Sequence, residues 1–183
     1  GQAVTYNDKD FRLHGVKQYW LKDEVISDSN NQGTNDKVKS SMKPLPKGTK
    51  FQGKVRFKNL TADELGLLLW SLKLDEDSLM NIGKAKAFGY GSIALELLSA
   101  KKLNAEAAYN SDALCLNPWE ELNVEALIKK YQSKISEYLN GKIEELPHIK
   151  QFFDMKNKKR IPDAEATRFM TLEEYGKRND KVL

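Results

Sequence analysis

With 183 residues, 40% of them apolar and 31% charged, the chain has the length and composition of one soluble globular domain, or of one domain with an appendage. There is no apolar stretch long enough for a membrane-spanning helix, and no basic segment followed by an apolar one to mark a signal peptide. A single cysteine, Cys115, excludes an internal disulfide and fits a reducing, cytoplasmic compartment, while two histidines far apart in sequence make a zinc site unexpected. Gly1 in place of methionine is expected of a cloning remnant or of an excised piece of a longer protein.

Residues Phe11 to Leu21 read as a first strand, with Phe11, Leu13, Gly15 and Tyr19 alternating against Arg12, His14 and Gln18. Residues 26–48 are rich in Ser, Asn, Asp and Gly, then in Lys and Pro, which is loop chemistry over an unusual length. Lys50 to Lys58 is the cleanest strand pattern. Phe51, Gly53, Val55 and Phe57 share one face; Lys50, Gln52, Lys54, Arg56 and Lys58 share the other. Between Asp36 and Lys58 stand eight Lys or Arg and one acid, which suits a nucleic-acid footprint and equally a solvated lysine-rich face.

Thr61 and Glu64 have capping-box spacing and predict a helix start. Leu65, Leu68, Leu69 and Leu72 then form its apolar stripe, with Trp70 beside it in a core or interface position. Gly83-Lys84-Ala85-Lys86-Ala87-Phe88-Gly89-Tyr90-Gly91 follows, with three of the chain's eleven glycines, two lysines and two aromatics in nine residues. Ser92 to Leu98 reads as a further strand. Asn117-Pro118-Trp119 reads as a helix start, the stripe Val124, Leu127, Ile128, Tyr131, Ile135, Tyr138 and Leu139 as its apolar face, and Gly141 as its C-cap. Pro147 opens another helix to about Met155, Asn157 to Arg160 forms a basic turn, and Phe169, Leu172 and Tyr175 are the packing residues of the C-terminal end.

The glycine run resembles the loop of the CRISPR-associated RAMP superfamily (repeat-associated mysterious proteins), which reads roughly Gly-x-x-Lys/Arg-x-x-Gly-Tyr/Phe-Gly before a hydrophobic strand. Gly83, Lys86, Gly89, Tyr90 and Gly91 fill those positions. The likeness extends back through Leu45–Phe57 and Leu60–Trp70 and forward to Phe169–Tyr175, with a weaker match at Leu13–Trp20. It is similar to the C-terminal part of a large RAMP protein of a type III-like system. The resemblance implies an α+β fold with a partial ferredoxin-like (RRM-like) β-β-α-β sheet, a helix on one face and a helical C-terminal extension. The expected division is 1–100 for the RAMP module, its first β-α pair missing, and 101–183 for the extension. The final strand of such a sheet lacks its neighbour. Residues upstream, a second chain, or a strand from residues 110–116 would complete it; a pairing borrowed from 110–116 or made between chains is favoured, so self-association is one of the expected outcomes.

Glycine-loop backbone N–H groups and lysines suit phosphate, and aromatics suit stacking on bases. The expected RNA-binding residues are therefore Gly83, Lys84, Lys86, Phe88, Gly89, Tyr90 and Gly91, with Lys54 and Arg56 on the neighbouring strand's polar face. At most one of Phe88 and Tyr90 is expected to enter the core. Alternatively the glycines merely permit a tight turn over packed aromatics. The resemblance implies CRISPR guide RNA and other effector subunits as partners. Catalysis is not expected of this chain. Asp23, Asp28 and Asp36 lack metal-ligand spacing, and His14 and His148 are isolated. No cofactor or metal is expected. The other open readings are an RNA endonuclease subunit and a protein-interaction module with a structural loop.

Overall fold

A computed structural model describes residues 7–9, 11, 16–25, 41–109 and 117–168. The described residues form an α+β structure of four helices and two small antiparallel ladders. In chain order the elements are α1 (Ala62–Lys73), β1 (Met80–Asn81), β2 (Ser92–Ile93), β3 (Lys101–Leu103), α2 (Ala105–Tyr109), β4 (Trp119–Glu121), α3 (Val124–Leu139) and α4 (Pro147–Lys156).

The helix α1 starts where the capping box places it. Glu64 N–H donates to the Thr61 hydroxyl, and Thr61 N–H donates to the Glu64 carboxylate at 2.8 Å. Leu65 and Leu69 are buried, together with Gly66 and Trp70 on the same face. That face packs on α3. Lys73 at the end of α1 pairs with Glu125 at the start of α3, and Asp63 at the start of α1 pairs with Lys134, so the helices run antiparallel. Gly66 is what allows the close approach. A Cβ there would lie 2.5 Å from the Leu127 carbonyl oxygen and 2.8 Å from the Tyr131 Cβ.

Leu65, Leu69, Trp70, Ile128 and Ile143 are the buried core, with Leu127, Tyr131 and Phe153 packed against it. The Trp70 indole stacks on Phe153 with centroids 5.9 Å apart and meets Tyr131 at 6.1 Å. Each fully buried aliphatic or aromatic side chain here contributes about 1.5–3 kcal/mol. The core therefore draws on both sides of residue 100, and the regions 1–100 and 101–183 share it.

Several local expectations change. Trp119–Glu121 is strand β4 and not a helix start. It pairs antiparallel with β3, with Lys101 opposite Glu121 and Lys102 opposite Glu120, in ion pairs of 2.9 and 3.0 Å. Opposite charges directly across a ladder favour this pairing. The cap of α3 is instead Asn123, whose side chain accepts from Ala126 N–H at 3.0 Å. At the other end Asn140, not Gly141, takes the left-handed conformation, at φ 52°. Asparagine tolerates that region because its short polar side chain relieves little-populated backbone geometry. The 101–183 region thus carries strands as well as helices.

The sheet departs most from expectation. β1 pairs with β2 and β3 with β4, as two separate two-stranded ladders. No ferredoxin-like sheet is formed among the described residues. Residues 16–21 and Phe11 are not in a strand, and 12–15 lie outside the described residues. The predicted strand Ser92–Leu98 is shortened to Ser92–Ile93. Lys50–Lys58 is not a strand either: it is exposed throughout, with Phe51 at 77% and Val55 at 61%. The β-β-α-β order implies that the Phe51 segment pairs with the Phe11 segment under α1, and the exposure of Phe51 and Val55 overturns that pairing. A period-two pattern becomes a strand only when a neighbour supplies the ladder hydrogen bonds, and none of the described residues is in place beside it. Residues 110–116 and the Phe169–Tyr175 stretch lie outside the described residues.

Candidate functional site

The glycine run forms a compact loop closed by β1 and β2. Met80 pairs with Ile93 and Asn81 with Ser92, and Ile82 N–H donates to the Gly91 carbonyl at 2.8 Å. Inside it, Lys86–Phe88 makes a single 3₁₀ turn, and Phe88 and Tyr90 N–H both donate to the Ala85 carbonyl. Two glycines are required by contacts. Gly91 has φ +76°, and a Cβ there would sit 1.9 Å from the Ile82 carbonyl oxygen. Gly89 has φ +93°, and its Cβ would meet the Glu24 carbonyl oxygen at 2.9 Å. A side chain at either position would meet backbone, which cannot rotate aside.

The Gly89 contact brings a distant segment to the loop. Residues 16–25 run beside it and are held from below by the end of α4. Leu21, 2% exposed, donates its N–H to the Met155 carbonyl. The Lys156 ammonium, in a residue only 2% exposed, donates to the Tyr19 carbonyl at 3.0 Å and to Asn81 Oδ1 at 2.7 Å. Lys156 therefore ties the 16–25 segment, β1 and α4 together under the loop. Burial pushes its pKa down, and the nearby Lys86 ammonium adds to the effect.

Tyr19 stands at the centre of a group of cations. Lys17 Nζ lies 5.3 Å and Lys86 Nζ 5.6 Å from its ring centroid. Lys22 donates to the Thr167 carbonyl and hydroxyl at 2.6 and 2.9 Å, and burial lowers its pKa. Lys84 is exposed on the loop. Among the described residues, none of Lys17, Lys22, Lys84, Lys86 and Lys156 has a carboxylate partner. By contrast Lys73, Lys101, Lys102, Lys134, Lys158 and Lys159 all meet acids. The basic turn after α4 belongs to this second, neutralised class: Lys158 and Lys159 flank Asp77, and Arg160 pairs with Asp154. Asp77 is held below the usual carboxylate range by the Lys159 hydrogen bond.

The expected site residues thus separate. Gly83, Lys84, Lys86, Phe88, Gly89, Tyr90 and Gly91 are gathered in the loop. Phe88 and Tyr90 are both half-buried, so neither is an open stacking face. Lys54 and Arg56 are exposed on the extended 50–58 segment, and no hydrogen bond, ion pair or ring contact joins them to the loop. Lys17, Tyr19, Trp20, Lys22 and Lys156 were not expected in the site. Their one signal in the sequence is aromatic and basic residues interleaved in Lys17–Lys22. Among the described residues no three His, Cys, Asp or Glu side chains gather where a metal ion would be held. Asp23 and His148 are exposed, while His14, Asp28, Asp36 and Cys115 lie outside the described residues.

No protein-family model matches the chain, and no curated protein sequence matches it.

Proposed function

We propose that this chain is an RNA-binding module of the CRISPR-associated RAMP type, which holds the guide RNA backbone at its glycine loop. One observation carries the reading: Lys17, Lys22, Lys84 and Lys86, four lysines without carboxylate partners among the described residues, stand around Tyr19 and the loop. Uncompensated ammonium groups beside a turn of glycine backbone attract phosphate, and a chain of phosphates engages several at once. The resemblance of Gly83–Gly91 to the family's loop supports the same reading.

In this reading the module works in the cytoplasm as part of a multi-subunit ribonucleoprotein. The Lys50–Lys58 segment becomes a strand of a ferredoxin-like sheet when another polypeptide segment, or a second copy, supplies its neighbour. The period-two face of Phe51, Val55 and Phe57, now in solvent, supports that step. Among the described residues no helix is long and apolar enough to cross a membrane, which is compatible with this setting.

The test is a titration of single-stranded RNA at several salt concentrations. The expected result is an affinity that falls with salt. Alanine at Lys54, Arg56, Lys84 and Lys86 should reduce the log–log slope by about 0.7 for each phosphate contact removed. An affinity and slope unchanged in that quadruple variant would overturn the site. Sequencing the RNA that copurifies with the protein would identify the guide, and random cellular RNA would refute that assignment.

A further inference from the structure

Beside the loop lies a cleft of about 230 Å³, bounded by Gln18, Tyr19, Trp20, Lys22, Ala87 and the 167–168 turn. We propose that this cleft receives one unstacked nucleobase of a bound single strand, with the Trp20 indole as its stacking face. The proposal rests on the RNA-binding reading and adds a base subsite to it.

Four observations point to a base. Trp20 is 39% exposed and makes no ring contact among the described residues, whereas Trp70 is spent in the core. The Tyr19 ring beside it is already engaged by Lys17 and Lys86, so Trp20 is the available π-face. Gln18 is exposed and carries both amide donors and an acceptor, which is the chemistry that reads a base edge. Lys22 gives two hydrogen bonds to Thr167, leaving one ammonium donor for a phosphate or a base carbonyl.

Size and rigidity agree. Drug-sized ligands occupy clefts of about 300–1,000 Å³, so this one suits a single planar ring system better than a longer ligand. Its wall is held in advance, because the Tyr19 carbonyl is fixed by buried Lys156 and Leu21 by the end of α4. A preformed wall lowers the ordering cost on binding. The cleft also adjoins Ala87 of the glycine loop, so a strand whose phosphates lie on Lys84 and Lys86 has a base within reach of Trp20.

The experiment uses the 183-residue protein and two probes of equal length and charge. One is a twelve-nucleotide oligouridylate, and the other is its abasic ribose-phosphate counterpart. Base stacking on an aromatic is worth about 1–3 kcal/mol, or about 5- to 150-fold in affinity. Trp20→Ala should therefore weaken oligouridylate binding by that factor and leave the abasic oligomer unaffected. Trp20→Phe should retain most of the affinity, and Gln18→Ala should lose a smaller part of it, again only with bases present. If Trp20→Ala does not fold, the Trp20→Phe and Gln18→Ala variants decide. Equal weakening of both probes, or of neither, overturns the base subsite while leaving the phosphate site standing. Failure of the unaltered protein to bind either probe overturns the RNA-binding reading itself.

Discussion

Lys156 shows how much a single buried charge can organise. Its ammonium has two neutral acceptors, the Tyr19 carbonyl and the Asn81 amide oxygen, and no carboxylate among the described residues. Facing Asn81 Oδ1 to the ammonium leaves buried Asn81 Nδ2 without a hydrogen bond, at a cost of about 1–3 kcal/mol. The charge itself is disfavoured by burial and by Lys86, so the folded pKa lies below the ordinary lysine value of 10.5. Between those two values the unfolded chain binds more protons than the folded one. Stability therefore rises with pH through that window and is complete above 10.5. The expected outcome is an unfolding free energy that climbs as the pH rises toward 10.5 in the unaltered protein. It should climb less steeply in Lys156→Met, which has no charge to lose. Urea melts at a series of pH values measure both slopes, and parallel slopes would contradict the account.

At the scale of elements, the α1–α3 contact depends on one missing side chain. Gly66 sits mid-helix, where alanine would ordinarily improve stability by about 1 kcal/mol. Here the added Cβ meets a backbone oxygen at 2.5 Å, and the Leu127 carbonyl is itself held in a helix. Overpacking of this kind costs about 1–3 kcal/mol. Gly66→Ala should therefore lower the urea midpoint with an unchanged slope, the reverse of its effect in an isolated helix. A raised midpoint would mean that α1 and α3 do not approach this closely. Surface ion pairs such as Lys73–Glu125 set the helix register, but exposed pairs contribute only about 0–1 kcal/mol.

For the whole molecule, the Lys50–Lys58 segment is the unfinished part. Phe51 and Val55 lie in solvent and outside the core cluster. Exposed apolar groups on an extended chain are a template for pairing with another strand. The double variant Phe51→Glu, Val55→Glu should leave the thermal midpoint nearly unchanged, because substitutions away from packed groups stay within about 0.5 kcal/mol. It should also reduce self-association in light scattering at high protein concentration. A midpoint lowered by several degrees would show these residues packed within the monomer, and an unchanged mass distribution would show that the segment does not mediate association.

What the amino-acid order determined by itself is what depends on residues close in sequence. Thr61 and Glu64 cap α1, the leucine stripe chooses its buried face, Pro147 opens α4, and Gly89 and Gly91 adopt positive φ. Each follows from steric and hydrogen-bond rules acting over one or two turns. Tertiary structure decided the rest, because it required a distant partner. Trp119–Glu121 became a strand when Lys101–Leu103 supplied the ladder, and the stronger alternation of Lys50–Lys58 did not, for want of a neighbour among the described residues. The candidate site belongs to this second kind. Its loop is legible as a run of glycine, lysine and aromatic residues. The closing of Lys17, Lys22 and Lys156 around Tyr19, with Trp20 left open at the cleft, depends on contacts between segments far apart in the chain, such as Lys156 with the Tyr19 carbonyl at a separation of 137 residues. No local pattern encodes such a contact, since only the packed chain brings those charges together.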